Sequence, residues 1–144
     1  MTTLLLAYAG LFAWSFLAAT VLPLSSEAPL AALVRSQGRI AAPVLVATVG
    51  NYLGACTTYW LGRRAARAVG GRREGADKSG RAARLLARYG QPTLLLSWVP
   101  VLGDALIAGA GAVGMPFYGF SAWVVLGKGL RYLAVAWAAA KLWS

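Results

Sequence analysis

Two stretches of this sequence repeat one pattern, LPLSSEAPLAALV at residues 22–34 and VPVLGDALIAGAG at residues 99–111. In each stretch an acid stands four positions after a proline, and about ten mostly apolar residues then lead to a glycine. Ten helical residues cover about 15 Å, which is half the thickness of a bilayer core. A half-length helix behind a proline-broken turn predicts a re-entrant helical hairpin in each stretch. The proline–acid pairs are Pro23 with Glu27 and Pro100 with Asp104.

The composition of the 144-residue chain indicates a membrane protein. Hydrophobic residues make up 59% of it and charged residues 12%, with a mean hydropathy of +0.62, whereas soluble domains average about 45–50% apolar and about 25% charged. A soluble fold of this size could not bury so much apolar surface, so we expect a bilayer to cover it. The chain has no histidine and one cysteine, Cys56, which excludes an internal disulfide and a Cys/His zinc site. We predict no metal and no cofactor.

The repeat divides one predicted membrane domain, residues 1–144, into two units of hairpin plus crossing helix. Two such units separated by one crossing enter the bilayer from opposite sides, an inverted repeat that transporters use to build a site at the midplane. The predicted fold class is therefore an all-α integral membrane protein. Residues 4–22 can either cross fully or form one arm of the first hairpin. The predicted segments are repeat one at 1–62 (hairpin 4–40, crossing helix 41–62), a basic loop at 63–91, and repeat two at 92–144 (hairpin 92–114, crossing helix 117–143).

Nine of the fourteen basic residues lie between Arg63 and Arg88. Because basic loops stay on the cytoplasmic side, we predict that this loop faces the cytoplasm, where it would contact anionic lipid headgroups. The loop has almost no aromatic residues, so nucleic acid is not a predicted partner. Within it, Arg81, Arg84 and Arg88 share one helical face, which predicts a short amphipathic helix on the membrane surface.

Two of the four acids, Glu27 and Asp104, interrupt apolar segments, whereas Glu74 and Asp77 lie in the basic loop. A charged side chain in the bilayer centre costs roughly 2.5–3.5 kcal/mol on insertion scales. We therefore expect the two acids of the apolar segments to line a cavity, pair with a cation or take up a proton. The alternative is that each begins a helix at the membrane interface, where a helix N-terminus favours an acid.

The last apolar segment carries two cations, Lys128 and Arg131, three positions apart and on one helical face. Their own helix holds no acid, so their expected partners are the two acids of the breaks. The alternative is a shorter span that leaves both cations at an interface. Polar side chains could hydrate a cavity, and the alternative for each is a hydrogen bond between helices. They are Ser25, Ser26, Asn51, Thr57, Thr58 and Ser97. The predicted substrate- and proton-coupling residues are Glu27, Asp104, Lys128, Arg131, Ser25 and Ser26.

Four stretches of the chain resemble the DedA family, also described as SNARE-associated or VTT-domain membrane proteins, and in particular its short YqaA-like branch. These stretches are FLAATVLPLSSEAPL (16–30), GNYLGACTTYWLGR (50–63), RYGQPTLLLSWVPVLGDALIAGAGAVGMPF (88–117) and GKGLRYLAVA (127–136). The family typically has an acid after the first break, matched by Glu27, and an aromatic-x-x-x-Arg pattern, matched by Tyr59 and Arg63. A proline in the second segment and a following glycine are matched by Pro100 and Gly109.

The chain departs from the family in its second motif, which usually carries arginines on both sides of the proline. Here Ser97 and Gly103 stand near those places. Our hypothesis is that Lys128 and Arg131 supply the missing positive charge. The predicted structural breaks are Pro23, Pro100, Gly103 and Gly109.

The resemblance implies two re-entrant hairpins that meet in the bacterial inner membrane. It also implies movement of undecaprenyl phosphate or phospholipid across that membrane, with coupling to the proton gradient. The alternatives are a proton- or ion-coupled transporter of a small solute and a non-catalytic scaffold for membrane homeostasis. We predict no enzyme and no catalytic residue, because histidine is absent and membrane carboxylates are few. A homodimer is compatible with so few membrane-inserted units.

Overall fold

The computed structural model describes residues 1–20, 25–68 and 81–142. Every regular element in these ranges is helical and none is a strand, so the all-α class is confirmed for the described part of the chain. By length and hydropathy, none of the helices in these ranges qualifies as a membrane-spanning helix. The helices are α1 (Thr2–Ala18), α2 (Glu27–Gln37), α3 (Ala41–Ala68), α4 (Arg81–Tyr89), a 3-10 helix (Gln91–Trp98), α5 (Leu102–Ala112) and α6 (Phe117–Leu142).

The sequence repeat is reproduced in local structure. The short helices α2 and α5 have 11 residues each, and each carries its acid, Glu27 or Asp104, in the first turn. Each is followed by a glycine in the left-handed backbone region, Gly38 with φ 61° and Gly114 with φ 71°, a conformation that costs glycine little because it lacks a Cβ. The long helices α3 and α6 begin three residues after these glycines. Their crossing of the membrane and the inverted topology stay predictions.

Each predicted hairpin contains two helices that pack together. Helix α1 contacts α2, and the Tyr8 hydroxyl in the first half of α1 donates to Gln37 Oε1 at the end of α2, at 2.7 Å. The start of one helix thus meets the end of the other, as in an antiparallel pair. In the second stretch the 3-10 helix packs against α5. Whether these pairs are re-entrant in a bilayer stays a prediction.

Of the predicted breaks, Pro100 lies between the 3-10 helix and α5, as expected. Gly109 lies inside α5, so the prediction that it interrupts a helix is wrong, whereas Gly103 is the second residue of α5 and adjoins the turn. Their glycine identity has a packing reason, because a Cβ at Gly109 would lie 2.8 Å from Leu86 Cδ1 and one at Gly103 would overlap the backbone of Ser97. Pro23 lies outside the described residues.

Two predicted boundaries also change. Helix α3 continues to Ala68, so the prediction that the loop begins at Arg63 is wrong. Alanine and arginine are strong helix formers, which accounts for the extension through GRRAARA (62–68). The predicted amphipathic helix is confirmed as α4, with Leu86 buried and its arginines exposed.

By their contacts the residues fall into two compact units, the first formed by 1–54 with 128–144 and the second by 55–127. These units cut across the predicted repeats, because α3 and α6 each contribute to both. In the second unit, α5 packs on α3 so closely that a Cβ at Gly111 would overlap the Tyr59 carbonyl oxygen. The core of the first unit takes residues from α1, α2, α3 and α6: Leu11, Leu30, Val34, Ala47, Tyr132 and Ala136.

Candidate functional site

An ion pair joins α2 to α6 in the first unit. Arg131 Nε donates to Glu27 Oε1 at 2.9 Å, and Nη2 of the same guanidinium donates to the same oxygen. The Arg131 side chain is 25% exposed and the Glu27 side chain is 40% exposed, so the ion pair is partly accessible from outside the protein. Glu27 is one of the two partners that the sequence predicted for this arginine.

The start of α2 places the Glu27 carboxylate. Glu27 is the first residue of α2, where the helix dipole and unpaired N–H groups favour a negative side chain. This is the helix-start position of the alternative interpretation, and the depth of Glu27 in the membrane stays a prediction. Ser25 is exposed, and its hydroxyl oxygen accepts a long hydrogen bond from the Glu27 N–H at 3.4 Å.

A buried pair of hydroxyl groups lies next to the ion pair and also joins the start of α2 to α6. Ser26 Oγ and Tyr132 Oη lie 2.5 Å apart, and both residues are buried. Ser26 therefore bonds to α6 rather than capping its own helix. The N-cap residue and the first residue of α2 thus contact two consecutive residues of α6. Any displacement of α2 from α6 has to break both contacts.

A second cation, Lys128, is held one helical turn before Arg131. It is only 5% exposed, and its Nζ donates to Asn51 Oδ1 on α3. The Asn51 Nδ2 in turn donates to the Ser15 carbonyl oxygen at 3.1 Å. Ser15 lies in the last turn of α1, where carbonyl groups lack partners further along the helix. The Asn51 amide therefore links the ammonium of α6 to the end of α1.

Close packing of α1 on α3 brings Asn51 to Ser15. A Cβ at Gly50 would lie 2.6 Å from the Phe12 carbonyl oxygen, so only glycine allows this approach. The sequence analysis predicted Asn51 as a group that hydrates a cavity or bonds between helices, and it did not assign Tyr132 to the site. The signal for Asn51 was a polar amide inside an apolar segment. The signal for Tyr132 was its position next to Arg131 in the last apolar segment.

Asp104 lies in the second unit, in the first turn of α5, and is partly buried. Both acids lie in the first turn of their helices, Glu27 as the first residue of α2 and Asp104 as the third residue of α5. The prediction that the two acids share one cavity stays a prediction.

The family motif pair Tyr59 and Arg63 also lies in the second unit. Tyr59 is fully buried, and its hydroxyl donates to the Met115 carbonyl at 2.5 Å and accepts from Arg63 Nη1 at 3.2 Å. Its ring centroid lies 4.5 Å from that of Phe120. Since Met115 connects α5 to α6, the pair stabilises that connection rather than offering a binding group.

The cluster in the first unit suits an anion better than a metal ion. A guanidinium presents a planar fork that matches carboxylate or phosphate oxygens, and an ammonium adds a point charge. A phosphate group would therefore compete with Glu27 for Arg131. Within the described residues, no group of three or more His, Cys, Asp or Glu side chains could hold a metal.

Comparison with known proteins gives one family and several relatives. The model of the VTT domain matches residues 1–141. Inner membrane protein YqaA of Escherichia coli (strain K12) is 44% identical over 130 residues, which cover 88% of this chain and 87% of that protein. The protein of the same name in Shigella flexneri matches to the same extent. An uncharacterized protein of Haemophilus influenzae is 39% identical over 136 residues, covering 87% of this chain and 82% of the relative. No solved structure gives a significant match.

Proposed function

Because this chain belongs to the VTT-domain family of DedA membrane proteins, we propose that it moves a lipid-phosphate headgroup, of undecaprenyl phosphate or a phospholipid, across the bacterial inner membrane. The name of the relatives that are 44% identical supports the location. The basic segment 63–91 faces the cytoplasm in this proposal, and transport is coupled to protons. Moving a headgroup breaks no covalent bond, so the proposal assigns no catalytic residue.

The observation that carries the proposal is the polar cluster of the first unit. Arg131 pairs with Glu27, and Lys128 bonds to Asn51 one helical turn away. Charged side chains are rare in apolar membrane segments because they are costly there, and those that occur usually serve a transport pathway. Two cations on one turn of α6 place two positive side chains where a phosphate could bind.

Competition for Arg131 gives a mechanism for coupling. While Glu27 is ionised, its carboxylate occupies the guanidinium. A proton that binds Glu27 removes the negative charge and weakens this hydrogen bond, because charge-assisted bonds are roughly twice as strong as neutral ones. The guanidinium then donates to a phosphate oxygen instead of the carboxylate, with Lys128 as the second cation, while the acyl chains stay in lipid. Loss of the proton restores the ion pair and releases the phosphate.

The test is lipid translocation in vesicles that contain the purified full-length protein and a fluorescent phospholipid. We expect Glu27→Gln and Arg131→Ala to slow translocation strongly and Asp104→Asn to slow it as well. Arg39→Ala removes an exposed arginine between α2 and α3 and is the matched control, for which we expect the wild-type rate. Equal rates in all five proteins would contradict the proposal.

Proton flux in the same vesicles and a growth assay in cells separate the alternatives. Proton flux that depends on a water-soluble substrate, without lipid translocation, would favour the small-solute transporter. Growth complementation by variants that lack both membrane acids would favour the scaffold, since a scaffold does not need their charge.

A further inference from the structure

One side of helix α4 in the second unit packs against other helices, and the opposite side is exposed. Leu86 is buried and lies against Gly109 of α5. The Thr93 hydroxyl of the 3-10 helix donates to the Leu85 carbonyl at 3.1 Å. These contacts fix the rotation of α4 about its axis, so the residues on its opposite face present a defined surface.

That opposite face carries three exposed arginines, Arg81, Arg84 and Arg88. Their spacing of three and four residues places them within about 60° around the helix and about 10 Å along it. Together with Leu85 and Tyr89 they line a surface depression of about 340 Å³. We call this surface the α4 basic face.

Charge and chemistry limit what could cover the α4 basic face. Within the described ranges these three arginines form no ion pair with a carboxylate. The segment from Arg63 to Arg88 holds nine basic and two acidic residues, so its field is strongly positive. Tyr89 is 57% exposed beside this face, and the Arg88 guanidinium lies 5.4 Å from its ring centroid. Exposed tyrosine beside arginine is typical of the membrane–water interface, where the ring contacts the acyl boundary and the cations contact phosphates.

We infer that the α4 basic face binds the phosphate groups of anionic phospholipid headgroups at the membrane surface. The three guanidinium groups donate paired hydrogen bonds to phosphate oxygens, and Tyr89 lies at the level of the headgroups. Arg81 and Arg88 are far enough apart to reach different headgroups or opposite sides of one. The α4 basic face shares no residue with the polar cluster of the first unit, and it would bind headgroups whether or not the chain moves lipid.

The experiment is native mass spectrometry of the full-length protein in detergent, titrated with phosphatidylglycerol or with phosphatidylcholine. We expect the wild type to retain phosphatidylglycerol preferentially. Three interfacial arginines together contribute roughly 100-fold to the binding of anionic lipid, so Arg81→Gln, Arg84→Gln and Arg88→Gln combined should abolish the preference. The matched control combines Arg64→Gln, Arg67→Gln and Arg72→Gln, which removes the same charge from the same segment, and it should keep the preference.

Equal loss in the two triple variants would overturn the proposal, because binding would then follow total charge. Displacement of phosphatidylglycerol by inorganic phosphate at the same concentration would also overturn it, because the ligand would then be a free anion. If the α4 triple variant does not purify folded, each single substitution should weaken phosphatidylglycerol binding about fivefold, and three singles without effect would contradict the proposal. The Arg81, Arg84 and Arg88 substitutions are scored by this titration and the Arg131→Ala substitution by the translocation rate, so failure of the transport proposal and failure of this one are distinguishable.

Discussion

The ion pair between Glu27 and Arg131 should contribute measurably to stability, and a double-mutant cycle isolates its contribution. The cycle uses Glu27→Gln, Arg131→Gln and the double variant. Glutamine keeps the length of the glutamate side chain and an acceptor oxygen, so the change is mainly one of charge. The cycle subtracts whatever each substitution does elsewhere in the first unit.

The expected coupling energy follows from geometry and exposure. Fully exposed pairs contribute about 0.2–1 kcal/mol, whereas removing one partner of a fully buried pair costs about 3–5 kcal/mol. Here the side chains are 25% and 40% exposed, and two donors of one guanidinium reach one oxygen. We therefore expect a coupling energy of about 1–2 kcal/mol, between the two regimes. This corresponds to roughly a 5- to 30-fold change in the ratio of folded to unfolded protein.

The assay is reversible unfolding of the detergent-solubilised protein by a denaturing detergent, followed by circular dichroism. A second cycle pairs Glu27→Gln with Arg39→Gln. Arg39 is separated from Glu27 by the length of α2, so these two substitutions should be additive. A Glu27–Arg131 coupling within about 0.3 kcal/mol of zero, the usual error of additivity, would refute the pairing and with it the competition mechanism.

Two further stability predictions concern packing around the helices. Tyr132→Phe leaves the Ser26 hydroxyl buried without its partner and should lower the free energy of unfolding by about 1–3 kcal/mol; a wild-type denaturation midpoint would contradict the contact. Gly111→Ala places a Cβ against the Tyr59 backbone and should cost about 1–3 kcal/mol or more through overpacking. Gly10→Ala is its control, since open space surrounds that position in α1, and it should be neutral or stabilise by up to about 1 kcal/mol. Similar midpoints for the two alanine variants would argue against the tight contact of α5 with α3.

Local rules in the sequence were enough to place the short helices and their acids. A proline-broken turn followed by an acid predicted the starts of α2 and α5, and a spacing of three and four predicted α4. Glycine was less informative, because the same residue serves as a helix break or as a close contact. Gly109 was assigned to a break but lies inside α5, where it makes room for Leu86.

Contacts between distant residues could not be predicted in the same way. Lys128 and Asn51 are 77 positions apart, and Ser26 and Tyr132 are 106 apart. No periodicity links such positions, since their meeting depends on how α1, α2, α3 and α6 pack. The sequence narrowed the partner of Arg131 to two acids only because acids are so few.

The contacts of one turn of α6 differ in whether they depend on the charge of Glu27. This difference indicates which neighbouring helix responds when Glu27 is neutralised. Lys128 is tied through Asn51 to α3 and α1 by bonds that involve no carboxylate. The N-terminal end of α2 is attached to α6 by the charge of Glu27 and by the Ser26–Tyr132 hydroxyl pair, whereas its C-terminal end bonds to α1 through Gln37. When the charge of Glu27 is neutralised, the C-terminal end of α2 keeps its bond, and its N-terminal end is held to α6 by the hydroxyl pair and by apolar packing.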